Sequence, residues 1–176
     1  MIRRFLVLLA TTLALMGCSG MKIEDFAGKT PVLKIDEYFL GRTRAWGIFE
    51  DRFANLRREF TVDIEGKWEG DEFVLDEHFD YADGEKDRRV WRLRRVGTDR
   101  WEGRTEDAIG VALGHQVGNA FSFKYNINLK MGERRLAVHF DDWMYLQPDG
   151  LLLNRAYVTK WGFDIGSVTL AFRKVP

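Results

Sequence analysis

The chain has 176 residues, with 27 Lys and Arg against 27 Asp and Glu, one cysteine, three prolines and 14% aromatics, a size for one domain or two small ones. A formal charge of zero excludes the clustered basic excess of a dedicated nucleic-acid binder. Hydrophobic residues at 45%, with so few prolines, exclude a disordered chain or a Pro-rich linker.

The N-terminus reads as a processing segment. Arg3 and Arg4 supply a positive start, and Phe5 to Met16 is an uncharged apolar stretch, shorter than the roughly 20 residues of a membrane-spanning helix. Leu15-Met16-Gly17-Cys18 then resembles a bacterial lipobox, in which cleavage before the cysteine frees it for diacylglyceryl modification and N-acylation. On this reading residues 1–17 are a lipoprotein signal peptide. Cys18, the chain's one thiol, is a lipid anchor rather than half of a disulfide. Two or three acyl chains hold a protein at a membrane surface without spanning it. Ser19, where an Asp would resemble a retention signal, resembles the sorting pattern for the outer membrane, so the expected address is its periplasmic face. The competing reading of Cys18, a buried free thiol, gives no role to the charged start or to Gly17.

Residues 18–31 show no sustained period and end in Gly28-Lys29-Thr30-Pro31, as expected of a lipidated tether, and the domain proper is expected over residues 32–176. There the recurrent period is two. Phe60, Val62 and Ile64 alternate with polar residues, as do Phe121, Phe123, Tyr125, Ile127 and Leu129, then Leu136, Val138 and Phe140, and finally Val168, Leu170 and Phe172. Turn signals recur at Glu69-Gly70-Asp71, Ala82-Asp83-Gly84, Gly97-Thr98-Asp99, Met131-Gly132-Glu133 and Pro148-Asp149-Gly150. About ten strands are expected, near residues 33–40, 43–50, 57–68, 72–81, 88–96, 100–107, 120–130, 134–141, 151–161 and 167–173. With no long helical period to cover such a sheet, closure is the way to remove its edges. The expected fold class is therefore all-β, an antiparallel meander closed into a lipocalin-like or calycin-like barrel. A flattened sandwich is the second reading and a membrane-spanning barrel the third.

Taken in order, Tyr38-Phe39-Leu40-Gly41, Ala45-Trp46-Gly47, Gly66-Lys67-Trp68-Glu69-Gly70, Leu75-Asp76-Glu77-His78-Phe79 and Trp91-Arg92-Leu93 form a recognisable series. Gly110-Val111-Ala112-Leu113-Gly114, Gly118-Asn119-Ala120, Asp141-Asp142-Trp143-Met144-Tyr145, Asn154-Arg155-Ala156 and Lys160-Trp161-Gly162 continue it. From about residue 31 to the end the chain resembles the DUF3833 family of proteobacterial lipoproteins. The resemblance implies a periplasm-facing lipoprotein with a lipocalin-like barrel, and it implies no particular substrate.

On the strand from Phe73 to Tyr81, Glu77 shares its parity with Phe73, Leu75, Phe79 and Tyr81, so a carboxylate is expected inside the barrel, where it must be paired, hydrogen-bonded or protonated. Parity offers Arg89, beside Trp91 and Leu93, and Arg155, beside Leu153, Tyr157 and Trp161, as interior partners. It sends Asn126 and Asn154 towards solvent. Trp68, Phe73, Phe79, Trp91, Phe123 and Tyr125 are the expected interior aromatics, lining a pocket or plugging it. His115 stands out among the histidines because it falls in a Gly-rich stretch from Gly110 to Ala120 that reads as a barrel mouth or a kink. That stretch holds no Gly-Lys-Ser/Thr and no helical period follows it, and the chain shows no zinc spacing and no nucleophile elbow, so no cofactor, no metal and no catalytic residue is assigned. The adjacent pair Asp141-Asp142 falls on opposite faces of a strand and does not converge.

The function this favours is a lipid-anchored barrel binding a hydrophobic or amphipathic small molecule, with the membrane as a partner through its anchor and nucleic acid excluded. One alternative is an interaction lipoprotein with a side-chain-filled interior that contacts another envelope protein. The other is an enzyme using Glu77 or His115 as acid or base.

Overall fold

Alternation of small or apolar inward residues with polar outward ones turns most of the chain beyond Gly41 into antiparallel strands. The computed structural model describes residues 20–131 and 134–176, so the signal segment and Cys18 lie outside the described residues. Ten strands follow one another: β1 (Gly41–Asp51), β2 (Leu56–Glu69), β3 (Glu72–Tyr81), β4 (Lys86–Arg95), β5 (Arg100–Arg104), β6 (Ala112–Val117), β7 (Ala120–Met131), β8 (Arg134–Leu146), β9 (Leu152–Lys160) and β10 (Phe163–Lys174). Each pairs with its chain neighbour, and β10 returns to β1 with Ala45 opposite Phe172, closing the barrel. Among the described residues every strand thus has a neighbour on both sides.

The number of strands agrees with the expectation, but two of them differ. Residues 33–40 form a plug rather than a strand: Leu33 and the helix α1 (Ile35–Phe39) enter one end of the barrel, where Leu33, Ile35 and Phe39 are buried against Phe73, Trp101 and Phe172. Isoleucine and phenylalanine four residues apart share one helical face, which is the face that meets the core. Asp36 on the same helix takes the Arg95 guanidinium at 2.7 Å and fixes the plug to β4. The strand missing from the expectation is β6, inside the Gly-rich stretch. Its inward positions are Ala112, Gly114 and Gln116, and a Cβ at Gly114 would lie 2.6 Å from the Phe121 ring, so the packing there demands a residue without a side chain.

The stretch expected as a tether is partly structured as well. A 3-10 helix, η1 (Ile23–Phe26), lies on the outer wall near the plugged end, where Ile23 and Phe26 are buried with Ala120 and Trp143. Among the described residues, no helix is long and apolar enough to cross a membrane. From Gly20 onward the chain thus closes its own sheet and fills one end of its own barrel.

Candidate functional site

Strand hairpins at the end opposite α1 leave the barrel open, and the interior between them and the plug is a cavity of about 1010 Å³. Ile35 and Phe39 form its floor. Its walls are Val62, Ile64, Leu75, Phe79, Trp91, Phe123, Tyr125, Phe140, Val158, Val168 and Leu170, an apolar and aromatic lining of the kind ordinary ligand sites have, and its volume is at the upper end of their range. Around Trp91 the rings are packed edge to face, with Phe123 and Tyr125 both at 5.1 Å, and Tyr125 is stacked on Phe140 at 5.1 Å. At the mouth, Arg58 reaches Asp83 and Glu85 at 2.9 Å while lying over the Tyr81 ring, and Arg57 holds Asp51 at 2.6 Å. The rim charges are therefore largely paired with one another.

Five polar side chains interrupt the apolar wall. Glu77 on β3 lines the cavity as its parity requires, opposite Arg89 on β4 in the strand register. Arg89, also on the cavity wall, gives Nε and Nη2 to Asp107 at 3.4 and 3.1 Å rather than bonding to the glutamate. Asp107 arrives there because β5 and β6 are short. The connection between them fills the wall beside β4, with Asn128 N–H donating to Asp107 O at 2.8 Å and Ile109 N–H to Asn126 O at 2.8 Å. Glu77 has no hydrogen-bond or ion-pair partner among the described residues. Burial lifts its carboxyl to about 7, against the pull of Arg89 and with the push of Asp142, Asp107 and Asp76.

On the β7–β9 wall, Asp142 accepts a hydrogen bond from Asn154 Nδ2 at 3.2 Å, with the Tyr125 side chain beside it. Burial raises Asp142 to about 6 despite the pull of Tyr125 and Asn154 beside it, and burial raises Tyr125 as well. Asn154 also donates to Trp143 O at 3.3 Å, yet its Oδ1 is buried without a partner. Tyr125, Asp142 and Asn154 thus form a fixed polar shelf, with Glu77 and Arg89 on the β3–β4 wall.

Several sequence expectations meet a different arrangement here. Arg155 points out of the barrel, where it is 44% exposed and bonds Thr169 Oγ1 at 2.7 Å and Glu50 at 3.7 Å. Asn154, expected in solvent, is the inward residue. On β9 the outward face carries Leu153, Tyr157 and, just beyond the strand, Trp161, so hydropathy on that strand reports the wrong side. His115 lies on the outer face of β6, bonded to Asp99 Oδ2 at 3.1 Å, while its neighbour Gln116 turns inward and accepts from Trp101 Nε1. Of the six expected interior aromatics, Phe79, Trp91, Phe123 and Tyr125 line the cavity. Phe73 is fully buried beside the plug, whereas Trp68 keeps inward parity but stands half-exposed at the closed end, its ring tilted against Phe73 at 5.4 Å and Trp101 at 6.2 Å.

Asp142, Asn154 and Asp107 are the polar residues that sequence reasoning missed. Asp142 continues the inward series Leu136, Val138, Phe140, and that parity was the available signal. Its neighbour Asp141 points outward to Lys124 at 3.1 Å, so the two carboxylates do diverge as expected.

The fold has relatives among solved structures. The S-type phycobiliprotein lyase CPES from Guillardia theta is similar at a TM-score of 0.60 and 12% identity, over 89% of this chain and 94% of that one. A protein of unknown function from the DUF3598 family, from Nostoc punctiforme, is similar at a TM-score of 0.61 and 10% identity, over 89% of this chain and 53% of that one. At such identities the likeness is one of fold. No curated protein matches the sequence. The family model for DUF3833, described as a protein of unknown function, matches residues 12–174, and the chain belongs to that family.

Proposed function

We propose that this protein is a lipid-anchored carrier or sensor that takes a hydrophobic or amphipathic small molecule into its barrel on the periplasmic side of the outer membrane. The observation that carries the reading is the cavity: about 1010 Å³, floored by α1, walled by aromatic and aliphatic side chains, and broken by a few fixed polar groups. A barrel meant only as a structural spacer would gain stability by filling that space. The bilin lyase shares the fold, and a fold alone is an analogy, so the argument rests on the cavity itself. Exposed Phe53, Trp161 and Phe163 on hairpins at the open end offer an apolar ligand a first contact.

The lipobox at Leu15-Met16-Gly17-Cys18 supports the anchor. If Cys18 is acylated, its position two residues before Gly20 gives it a reach of only about 7 Å from the described chain. Met21 and η1 sit at the plugged end, with Tyr145 donating to Met21 Sδ, so the mouth faces away from the anchoring bilayer. The test combines fractionation with ligand binding. Cys18→Ala is expected to move the protein out of the membrane fraction. The unit from Gly20 is expected to enhance the fluorescence of N-phenyl-1-naphthylamine, and Val168→Trp, which places an indole in the cavity, is expected to abolish that enhancement while the β-sheet circular dichroism is kept. Undiminished binding by Val168→Trp overturns the cavity as the site.

A further inference from the structure

The polar groups of the cavity also define what kind of ligand head belongs there, an inference that rests on the ligand-binding reading above. Three carboxyl groups, Glu77, Asp142 and Asp107, stand against one guanidinium, Arg89. That guanidinium already spends two of its donors on Asp107. Asn154 gives its amide protons to Asp142 and Trp143 O, with Tyr125 standing beside Asp142. Carboxyl groups thus outnumber the cation on these walls, and that cation is drawn to Asp107. Glu77 has neither hydrogen bond nor ion pair among the described residues, and Asn154, 2% exposed, keeps an unpartnered Oδ1. Aromatic faces surround the same level: Trp91, Phe123, Tyr125, Phe140 and Phe79.

We propose that the cavity is selective for an amphipathic amine, its protonated head held by Glu77 with Asp142 behind it and its apolar body lodged among the aromatic walls. An ammonium group brings the positive charge that the carboxyl groups lack together with donors for Glu77, and aromatic faces attract cations as well as apolar surface. A carboxylate of equal length would meet the like charge of Glu77 and Asp142 and have to share Arg89 with Asp107. An alcohol supplies one donor and no charge. Because burial keeps both acids protonated well above the ordinary carboxylate range, binding of the amine is coupled to their ionisation and strengthens as pH rises. The groups facing Glu77 are Arg89 from β4, Asp142 and Tyr125 from β8 and β7, Asp107 from the β5–β6 connection, and Asp76 beside it on β3.

The experiment is isothermal titration of the unit from Gly20 with decylamine, decanol and decanoate, each below its micelle concentration, at pH 8 and pH 5. At pH 8 decylamine is expected to bind at least tenfold more tightly than either of the others, and to weaken several-fold at pH 5. Glu77→Gln, a nearly isosteric change, is expected to lower decylamine affinity tenfold or more and to leave decanol within twofold. Equal affinity for decylamine and decanol, preference for decanoate, or an unchanged amine affinity in Glu77→Gln overturns the amine head while the cavity remains a ligand site. Failure of all three probes to bind overturns the ligand-binding reading itself.

Discussion

Glu77 and Arg89 are register partners on adjacent strands, yet the arginine turns to Asp107 at 3.1 Å and the glutamate is left facing the cavity unpaired. Strand register brings two opposite charges side by side, and the β5–β6 connection then supplies a third group that captures the cation. The outcome decides what removal of each charge does.

For Glu77 the expected effect is relief. No partner is stranded when the carboxylate goes, and its ionised form is penalised by burial, so Glu77→Leu is expected to raise stability at pH 8 by about 1–3 kcal/mol. Urea unfolding of the wild type and the variant at pH 8 measures this. A loss of about 3–5 kcal/mol, the scale for breaking a buried pair, would show that Glu77 and Arg89 are bonded in solution after all.

Stability of the wild type is expected to fall as pH rises. A carboxyl whose folded pKa lies above its unfolded value binds its proton more tightly in the native state. Its stabilising contribution is complete below the unfolded value and is lost as pH rises through the folded one. Glu77 moves from 4.5 to about 7 and Asp142 from 3.8 to about 6, so the loss runs from about pH 4 to pH 7 and levels off beyond. Each group contributes on the order of 3 kcal/mol, together about 6 kcal/mol. The carboxyls of Asp76 and Glu69, held low by Arg88 and by Lys67 and Arg92, act below that window. Thermal melts from pH 5 to pH 8 check the slope, and the double variant Glu77→Gln/Asp142→Asn is expected to flatten it. A slope that survives in the double variant assigns the dependence to other groups.

Part of this architecture is legible in the chain because inward residues are large and outward ones charged, as on β2, β3 and β7. Glu77 is readable for that reason: its neighbours at two-residue spacing are Leu75 and Phe79, and no other placement suits them. The signal fails where the barrel needs small residues inside or apolar ones outside. On β6 the inward positions are Ala112 and Gly114, so alternation carries no hydropathy difference. On β9 the outward positions are Leu153 and Tyr157, which inverted the assignment of Asn154 and Arg155. On β8, Trp143 and Tyr145 lie outside because η1 packs there, which conceals Asp142. The plug is hidden differently, since Leu33, Ile35 and Phe39 suit a strand or a one-turn helix equally, and only the fit into the barrel end selects the helix.

That fit makes Gly66 a sensitive position. Its Cα faces α1 so closely that a Cβ would lie 2.0 Å from Phe39 O, and a backbone carbonyl cannot swing away as a side chain would. Gly66→Ala is expected to displace the plug and cost about 1–3 kcal/mol or more. Gly97→Ala, at a turn with nothing within 4 Å of the added carbon, is expected to be near neutral. Denaturation midpoints of the two variants give the comparison, and equal values would show that α1 is not seated against β2.

The two arginines once paired with Glu77 by parity separate cleanly by environment. Arg89 is buried at the cavity wall, its charge balanced by Asp107, and Asp107 already has one carboxylate oxygen buried without a partner. Arg89→Ala removes the remaining bond to that carboxylate and adds a cavity under Phe79, over whose ring the guanidinium lies at 5.6 Å. A loss of about 3–5 kcal/mol is expected, as for other buried pairs broken on one side. Arg155 is 44% exposed and 3.7 Å from Glu50, so solvent screens the pair and Arg155→Ala is expected to cost at most about 1 kcal/mol. Since the two residues share no partner, the double variant is expected to be additive within about 0.5 kcal/mol. Urea unfolding of the four proteins at one pH decides the matter: comparable losses for the two single variants would mean that Arg155 reaches the interior, and strong coupling would mean that both arginines serve one buried charge.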